Sequence, residues 1–146
     1  MASLDRDLCA RLPHARAMCL LDELLAWDAR SLVCTARSHL APDNPLRRDG
    51  RLAAIHAVEY AGQASALHSA LVAKDGAPVW ALLGALNDLT LERAYLDDLP
   101  APLVISVSQE LVMGHCASYR FSLDCAGLAV ARGRLTVAAQ GAGARP

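Results

Sequence analysis

Two side chains between Arg51 and Lys74, with an amide on the same face, have the types and spacing for proton-transfer chemistry. The segment reads RLAAIHAVEYAGQASALHSALVAK and is otherwise almost entirely Ala, Leu, Ile and Val. At about 100° per residue, His56, Glu59 and Gln63 fall on one narrow face of a helix. A carboxylate among such neighbours is costly unless it is paired or put to use. Burial there is expected to favour the neutral form of Glu59, which suits a proton donor. An imidazole exchanges protons near neutral pH, so His56 is the candidate to work with it. Gln63 cannot transfer a proton and is expected to orient Glu59, a loop carbonyl or a substrate.

The elements that must position these groups can be read from the chain order. The 24-residue segment has no proline and a single glycine, Gly62. A helix apolar on most of its circumference belongs in a protein interior. Before it, Met18–Trp27 and Ser31–His39 read as strands joined by a turn at Asp28–Arg30. Residues 1–11 read as a short helix or lead-in. Leu40–Gly50, with two prolines, Asn44 and Asp49-Gly50, reads as a loop delivering the chain to the helix. After a stop signal at Asp75–Pro78, strands are expected over Val79–Leu86, Asp88–Tyr95, Leu103–Met113, Ala117–Asp124 and Leu128–Ala139, with a turn at Ala126-Gly127. The order of two strands, one long buried helix and four or five strands predicts an α+β domain. In it, an antiparallel β-sheet wraps one long central α-helix. The domain is expected over residues 1–140, with a flexible tail at 141–146.

Composition narrows the function. Of 146 residues, 54% are hydrophobic and 20% charged, which excludes a disordered chain. A formal charge of −1, with no basic run interleaved with aromatics, gives no reason to expect nucleic acid. No signal-like apolar core opens the chain, and His, Glu and Gln interrupt its longest apolar run. A cytoplasmic protein without a membrane span is therefore expected. Five cysteines without a C-x-x-C pair read as buried reduced thiols, so no metal site is expected. No Gly-rich phosphate loop implies a cofactor.

Two motifs and the strand order carry a resemblance. Leu12-Pro13-His14 followed by Met18-Cys19-Leu20-Leu21-Asp22, then Glu59-Tyr60-Ala61-Gly62-Gln63 on the helix, resemble the hotdog-fold 3-hydroxyacyl-(acyl carrier protein) dehydratases. Those enzymes carry L-P-H with L-L-x-D, and E-x-x-A-Q; here Gly62 stands for the Ala. The fatty-acid enzymes also place a catalytic His in G-H-F-P before the helix, where this chain has Asn44-Pro45-Leu46. The variant P-L-x-x-D-G-x-L looks more like the dehydratase-like proteins of aryl-polyene gene clusters.

The resemblance implies dehydration of 3-hydroxyacyl thioesters carried on an acyl carrier protein, in fatty-acid or aryl-polyene biosynthesis. It also implies pairing with a second hotdog chain as a homodimer or heterodimer. In the heterodimer, a different chain supplies an imidazole opposite Glu59. The catalytic candidates are then Glu59 and His56, with His39 and His14 behind them. The substrate-binding candidates are Gln63, Asn44, Gly50 and Arg51, and Asn44 has an Asx-turn before Pro45 as its structural alternative. Backbone N–H groups near Gly50–Ala54 are expected to stabilise charge on the thioester oxygen. Arg47, Arg48 and Arg51 are expected to meet either the phosphopantetheine phosphate or solvent. Two other functions share these features: an acyl-thioester hydrolase and a non-catalytic acyl-thioester-binding subunit.

Overall fold

The computed structural model describes residues 2–3, 19–73 and 80–140. Seven strands form one antiparallel sheet: β1 (Ala2–Ser3), β2 (Glu23–Trp27), β3 (Ser31–Ala36), β4 (Trp80–Leu91), β5 (Leu103–Met113), β6 (Cys116–Cys125) and β7 (Leu128–Gln140). Their order across the sheet is β1-β2-β3-β5-β6-β7-β4. The one long helix among the described residues, α1 (Ala57–Val72), packs on the inner face of β3, β5, β6, β7 and β4. The expected wrap of sheet around helix is the observed architecture.

Alternation explains which face turns inward. In β3, Leu32, Cys34 and Ala36 are buried while Ser31, Val33 and Thr35 are half-buried. Leu103, Ile105 and Val107 of β5 and Phe121, Leu123 and Cys125 of β6 repeat that period of two. The inward side chains meet Ala57, Tyr60, Ala61, Ala64 and Leu67 of α1 in one core. Small helix residues let the sheet approach closely, so the apolar circumference read from the sequence is the enclosed one.

Four boundaries differ from the expected ones: the strand read from Met18 begins at Glu23, the strand read to His39 ends at Ala36 ahead of a 3₁₀ turn over Ser38–Leu40, and the other two lie at the helix start and in β4. The helix does not start at Arg51, because Arg51–Ala53 is held extended against the segment after β4. Leu52 N–H donates to Asp97 Oδ1 at 2.8 Å, Leu96 N–H to Leu52 O at 2.8 Å, and Ala54 N–H to Ala94 O at 2.9 Å. A 3₁₀ turn over Ala54–His56 then leads into α1. The two strands expected over Val79–Tyr95 are one strand, β4. Its register on β7 shifts between Leu83 and Ala85 and between Asn87 and Thr90, and Asp88 has φ 55°. The polar Asn87-Asp88 pair that suggested a turn makes an irregularity within the strand instead.

The turns match their sequences. Asp28 Oδ1 accepts the N–H groups of Arg30 and Ser31 at 2.8 Å, closing the β2–β3 hairpin. Ala126 (φ 51°) and Gly127 (φ 80°) form the two-residue β6–β7 turn, a conformation that favours glycine. Of the lead-in expected over residues 1–11, Ala2–Ser3 is strand β1 paired with β2, and its other residues, His14, the stop signal at Asp75–Pro78 and the tail at 141–146 lie outside the described residues. Cys19 is disulfide-bonded, so the expectation of reduced thiols fails there. Cys34, Cys116 and Cys125 are free. No helix among the described residues is long and apolar enough to cross a membrane.

Candidate active site

Glu59 stands in the first turn of α1, half-buried, and His56 closes the 3₁₀ turn just before it, also half-buried. The fold thus brings these two to the same opening of the central helix. Gln63, one turn further in, is fully buried, and its Oε1 accepts the Leu20 N–H at 2.8 Å. The face seen in the sequence therefore divides. Its outer end presents an imidazole and a carboxylate, while its inner end fastens the approach to β2. Glu59 is less enclosed than its neighbours' apolarity suggested, because it sits at the mouth of the helix rather than along its covered length.

The loop before the helix is tied down by Tyr60. Its hydroxyl lies 2.8 Å from Ser38 Oγ and 3.4 Å from Asn44 Nδ2. Asn44 Nδ2 also donates to Ser38 O at 2.8 Å, and its Oδ1 accepts Leu46 N–H at 2.9 Å. Asn44 is buried and makes the Asx-turn read as its structural alternative. Burial pushes the Tyr60 phenol above its ordinary range, against the hydrogen bonds from Ser38 and Asn44, so the hydroxyl stays protonated.

Gly50 is exposed and belongs to a tight turn. Asp49 (φ 52°) and Gly50 (φ 75°) reverse the chain between Arg48 and Arg51. The N–H donors expected near Gly50–Ala54 are largely engaged: Arg51 N–H goes to Arg48 O at 2.9 Å, and Leu52 and Ala54 are bonded as described above. The opening turn of α1 itself begins only at Ala57.

Two of the three arginines serve the loop. Arg47 donates to Ala41 O (2.9 Å), Gly50 O (2.7 Å) and His39 O (3.1 Å). Arg51 pairs with Asp97 and Asp98, both at 2.8 Å, and its guanidinium lies 3.9 Å from the centre of the Tyr95 ring. Burial raises the Asp97 carboxyl, but the Leu52 N–H and Arg51 outweigh this and hold it below the usual carboxylate range. Arg48 is exposed, with no ion pair among the described residues.

His39 is fully buried, with Nε2 2.9 Å from Leu99 O and no hydrogen-bond partner for Nδ1 among the described residues. No neighbouring residue in the chain singles out His68, yet it anchors a buried polar cluster. Its Nε2 lies 2.9 Å from Asp28 O, which can only accept, so Nε2 carries the proton. Tyr119 OH then donates to Nδ1 at 2.8 Å and accepts from Ser69 Oγ (3.0 Å) and Gln109 Nε2 (3.2 Å). These partners come from the β2–β3 turn, α1, β5 and β6, and nothing in the linear spacing announces them.

An antiparallel sheet wrapped around one central helix defines a hotdog-fold protein. A family model described as ApeP dehydratase, of the ApeP-like family, matches residues 7–143, and the chain belongs to that family. Among solved structures, the dehydratase heterocomplex ApeI:P from Xenorhabdus doucetiae superposes with a TM-score of 0.80 at 20% identity, covering 92% of this chain and 91% of that one. Thioesterase superfamily member 2 from zebrafish has a TM-score of 0.64 at 17% identity, covering 92% and 93%. A mutant of thioesterase PA1618 from Pseudomonas aeruginosa has a TM-score of 0.60 at 16% identity, covering 82% and 81%. No curated protein matches the chain by sequence.

Proposed function

We propose that this chain is the Glu59-bearing subunit of a paired hotdog dehydratase acting on 3-hydroxyacyl thioesters of acyl carrier protein. The observation that carries this reading is the placement of Glu59 at the half-buried opening of the central helix in a chain of the ApeP-like dehydratase family. Dehydration needs a base for the C2 proton and an acid for the departing C3 hydroxyl, both within hydrogen-bond reach. The C2–H electrons form the C2–C3 double bond as water leaves.

Glu59 is one of these groups and an imidazole is the other. Where the related fatty-acid enzymes have their histidine, this chain has Asn44, whose amide is spent on Ser38, Tyr60 and Leu46. That favours an imidazole from a second hotdog chain over one from this loop, with His56 as the candidate within the chain. The likeness to a dehydratase heterocomplex supports the same arrangement. Pairing has a natural place at β4, which ends the sheet and whose outer edge has no neighbour among the described residues.

The test is to supply 3-hydroxyacyl and saturated acyl thioesters to the chain alone and to its complex with a co-expressed hotdog partner. Enoyl product from the complex, lost on Glu59→Gln, is the expected result. Full dehydration by the isolated chain would remove the need for a partner. The thioesterase structures share this fold. Free thiol without enoyl product would accordingly make the protein a hydrolase, and activity that survives Glu59→Gln would make it a binding subunit.

A further inference from the structure

Gly62 follows Glu59 by three residues, so the two are neighbours on the surface of α1. Ile55, Val58, Glu59 and Gly62 stand at i, i+3, i+4 and i+7, one continuous patch at the opening of the helix. Ile55 is exposed, Glu59 and Gly62 are half-buried and Val58 is all but covered, so the sheet leaves most of this patch open. A Cβ placed on Gly62 would meet no atom of the described residues within 4 Å. Its φ is not positive, unlike that of Gly50, Gly114 and Gly127. Neither backbone conformation nor packing among the described residues therefore calls for glycine here. A glycine inside a helix is less favourable than an alanine, and the dehydratases with E-x-x-A-Q carry Ala at this position. The space is kept for something the chain itself does not supply.

We propose that Gly62 makes room for a one-carbon branch at C2 of the 3-hydroxyacyl substrate. The proposal rests on the dehydratase reading above and names the substrate class of that site, 2-methyl-branched 3-hydroxyacyl thioesters.

Side chains on an α-helix lean toward its N-terminus, so the methyl group absent from residue 62 would have covered the turn that carries Glu59. The reacting C2–C3 unit must come within reach of the Glu59 carboxyl, which sets it over that uncovered turn. The volume left free is that of one methyl group, and Ile55 and Val58 give such a group apolar neighbours. A methyl on C2 leaves that carbon the one hydrogen that dehydration removes. The C2–H electron pair forms the double bond, the C3 hydroxyl leaves with a proton as water, and the product is a 2-methyl-enoyl thioester. With alanine at residue 62, the two methyl groups would compete for the same space.

The experiment uses the assembled complex and two unreactive ligands, the 3-hydroxybutyryl and 2-methyl-3-hydroxybutyryl amides of aminopantetheine, with binding followed by calorimetry. The wild type is expected to bind the branched ligand at least as tightly as the unbranched one. Gly62→Ala is expected to lower the branched-to-unbranched affinity ratio about tenfold or more, the scale on which a pocket discriminates one carbon. The same substitution is expected to raise the thermal midpoint by about 2–4 °C, because alanine suits a helix and meets nothing in this chain. An unchanged ratio, a wild type that rejects the branch, or a lowered midpoint overturns the proposal. Loss of the complex on Gly62→Ala, read by size-exclusion chromatography, also overturns it, since the gap then belongs to a side chain of the partner subunit. Enoyl formation from the two matching thioesters in the same samples reports separately on the dehydratase reading. Its absence beside a Gly62-dependent ratio would sink that reading and not this one.

Discussion

Replacing the Glu59 carboxyl with an amide removes the exchangeable proton and keeps the shape of the side chain. Glu59→Gln is therefore expected to cut enoyl formation by the assembled enzyme about 100-fold or more, the usual scale for loss of a general acid or base. The thermal midpoint should stay within a few degrees. Asn44→Ala should act in the opposite sense, leaving the chemistry intact but destabilising the loop by about 1–3 kcal/mol, because the Leu46 N–H loses its acceptor and Ser38 O keeps only the Ala41 N–H. A chemical-denaturation series measures that loss. The thiols separate just as clearly. Burial, with Asp22 nearby, pushes the Cys34 thiol up to about 12, whereas Cys116 is exposed. Iodoacetamide should alkylate Cys116 in the native protein and Cys34 only after unfolding, as peptide mass mapping would show. At this scale the sequence announced Glu59, because a lone carboxylate in an apolar helix is conspicuous. It could not announce His68, whose partners at Asp28 and Tyr119 are 40 and 51 residues away and meet only in the folded chain.

Helix and turns were legible for a local reason. Apolar residues around the full circumference of α1 and glycine or Asx chemistry at the turns are written in consecutive residues. The start of α1 was not, since Leu52 and Ala54 are drawn into extended pairing by Asp97 and Ala94, roughly forty residues downstream. The same holds for β4, where pairing with β7 carries the strand through Asn87-Asp88. Gly133 gives a test of sheet packing at this scale. A methyl group there would stand 2.9 Å from the Phe121 ring and 3.3 Å from Asn87 O. Gly133→Ala is expected to cost about 1–3 kcal/mol by overpacking, read as a lowered thermal midpoint with the near-ultraviolet spectrum otherwise preserved.

The molecule as a whole carries an acid sensitivity set by His39 and His68. Burial disfavours the charged imidazole in both and, against the backbone carbonyls of Leu99 and Asp28, holds each below the ordinary histidine value. The unfolded chain then binds these protons more readily than the folded one. Stability is complete above about pH 6.5 and falls as the pH drops below it. His68→Gln should flatten that slope, and urea midpoints measured between pH 8 and 5 would expose it; an unchanged slope in the double variant with His39→Gln would refute the assignment.

The open rim at β4 has a consequence for how the protein behaves in solution. A dozen residues of backbone donors and acceptors at the end of the sheet act as an adhesive strip until another strand lies against them. Left uncovered, such a strip draws chains together edge to edge, so the protein is expected to grow in apparent size with concentration in a light-scattering series.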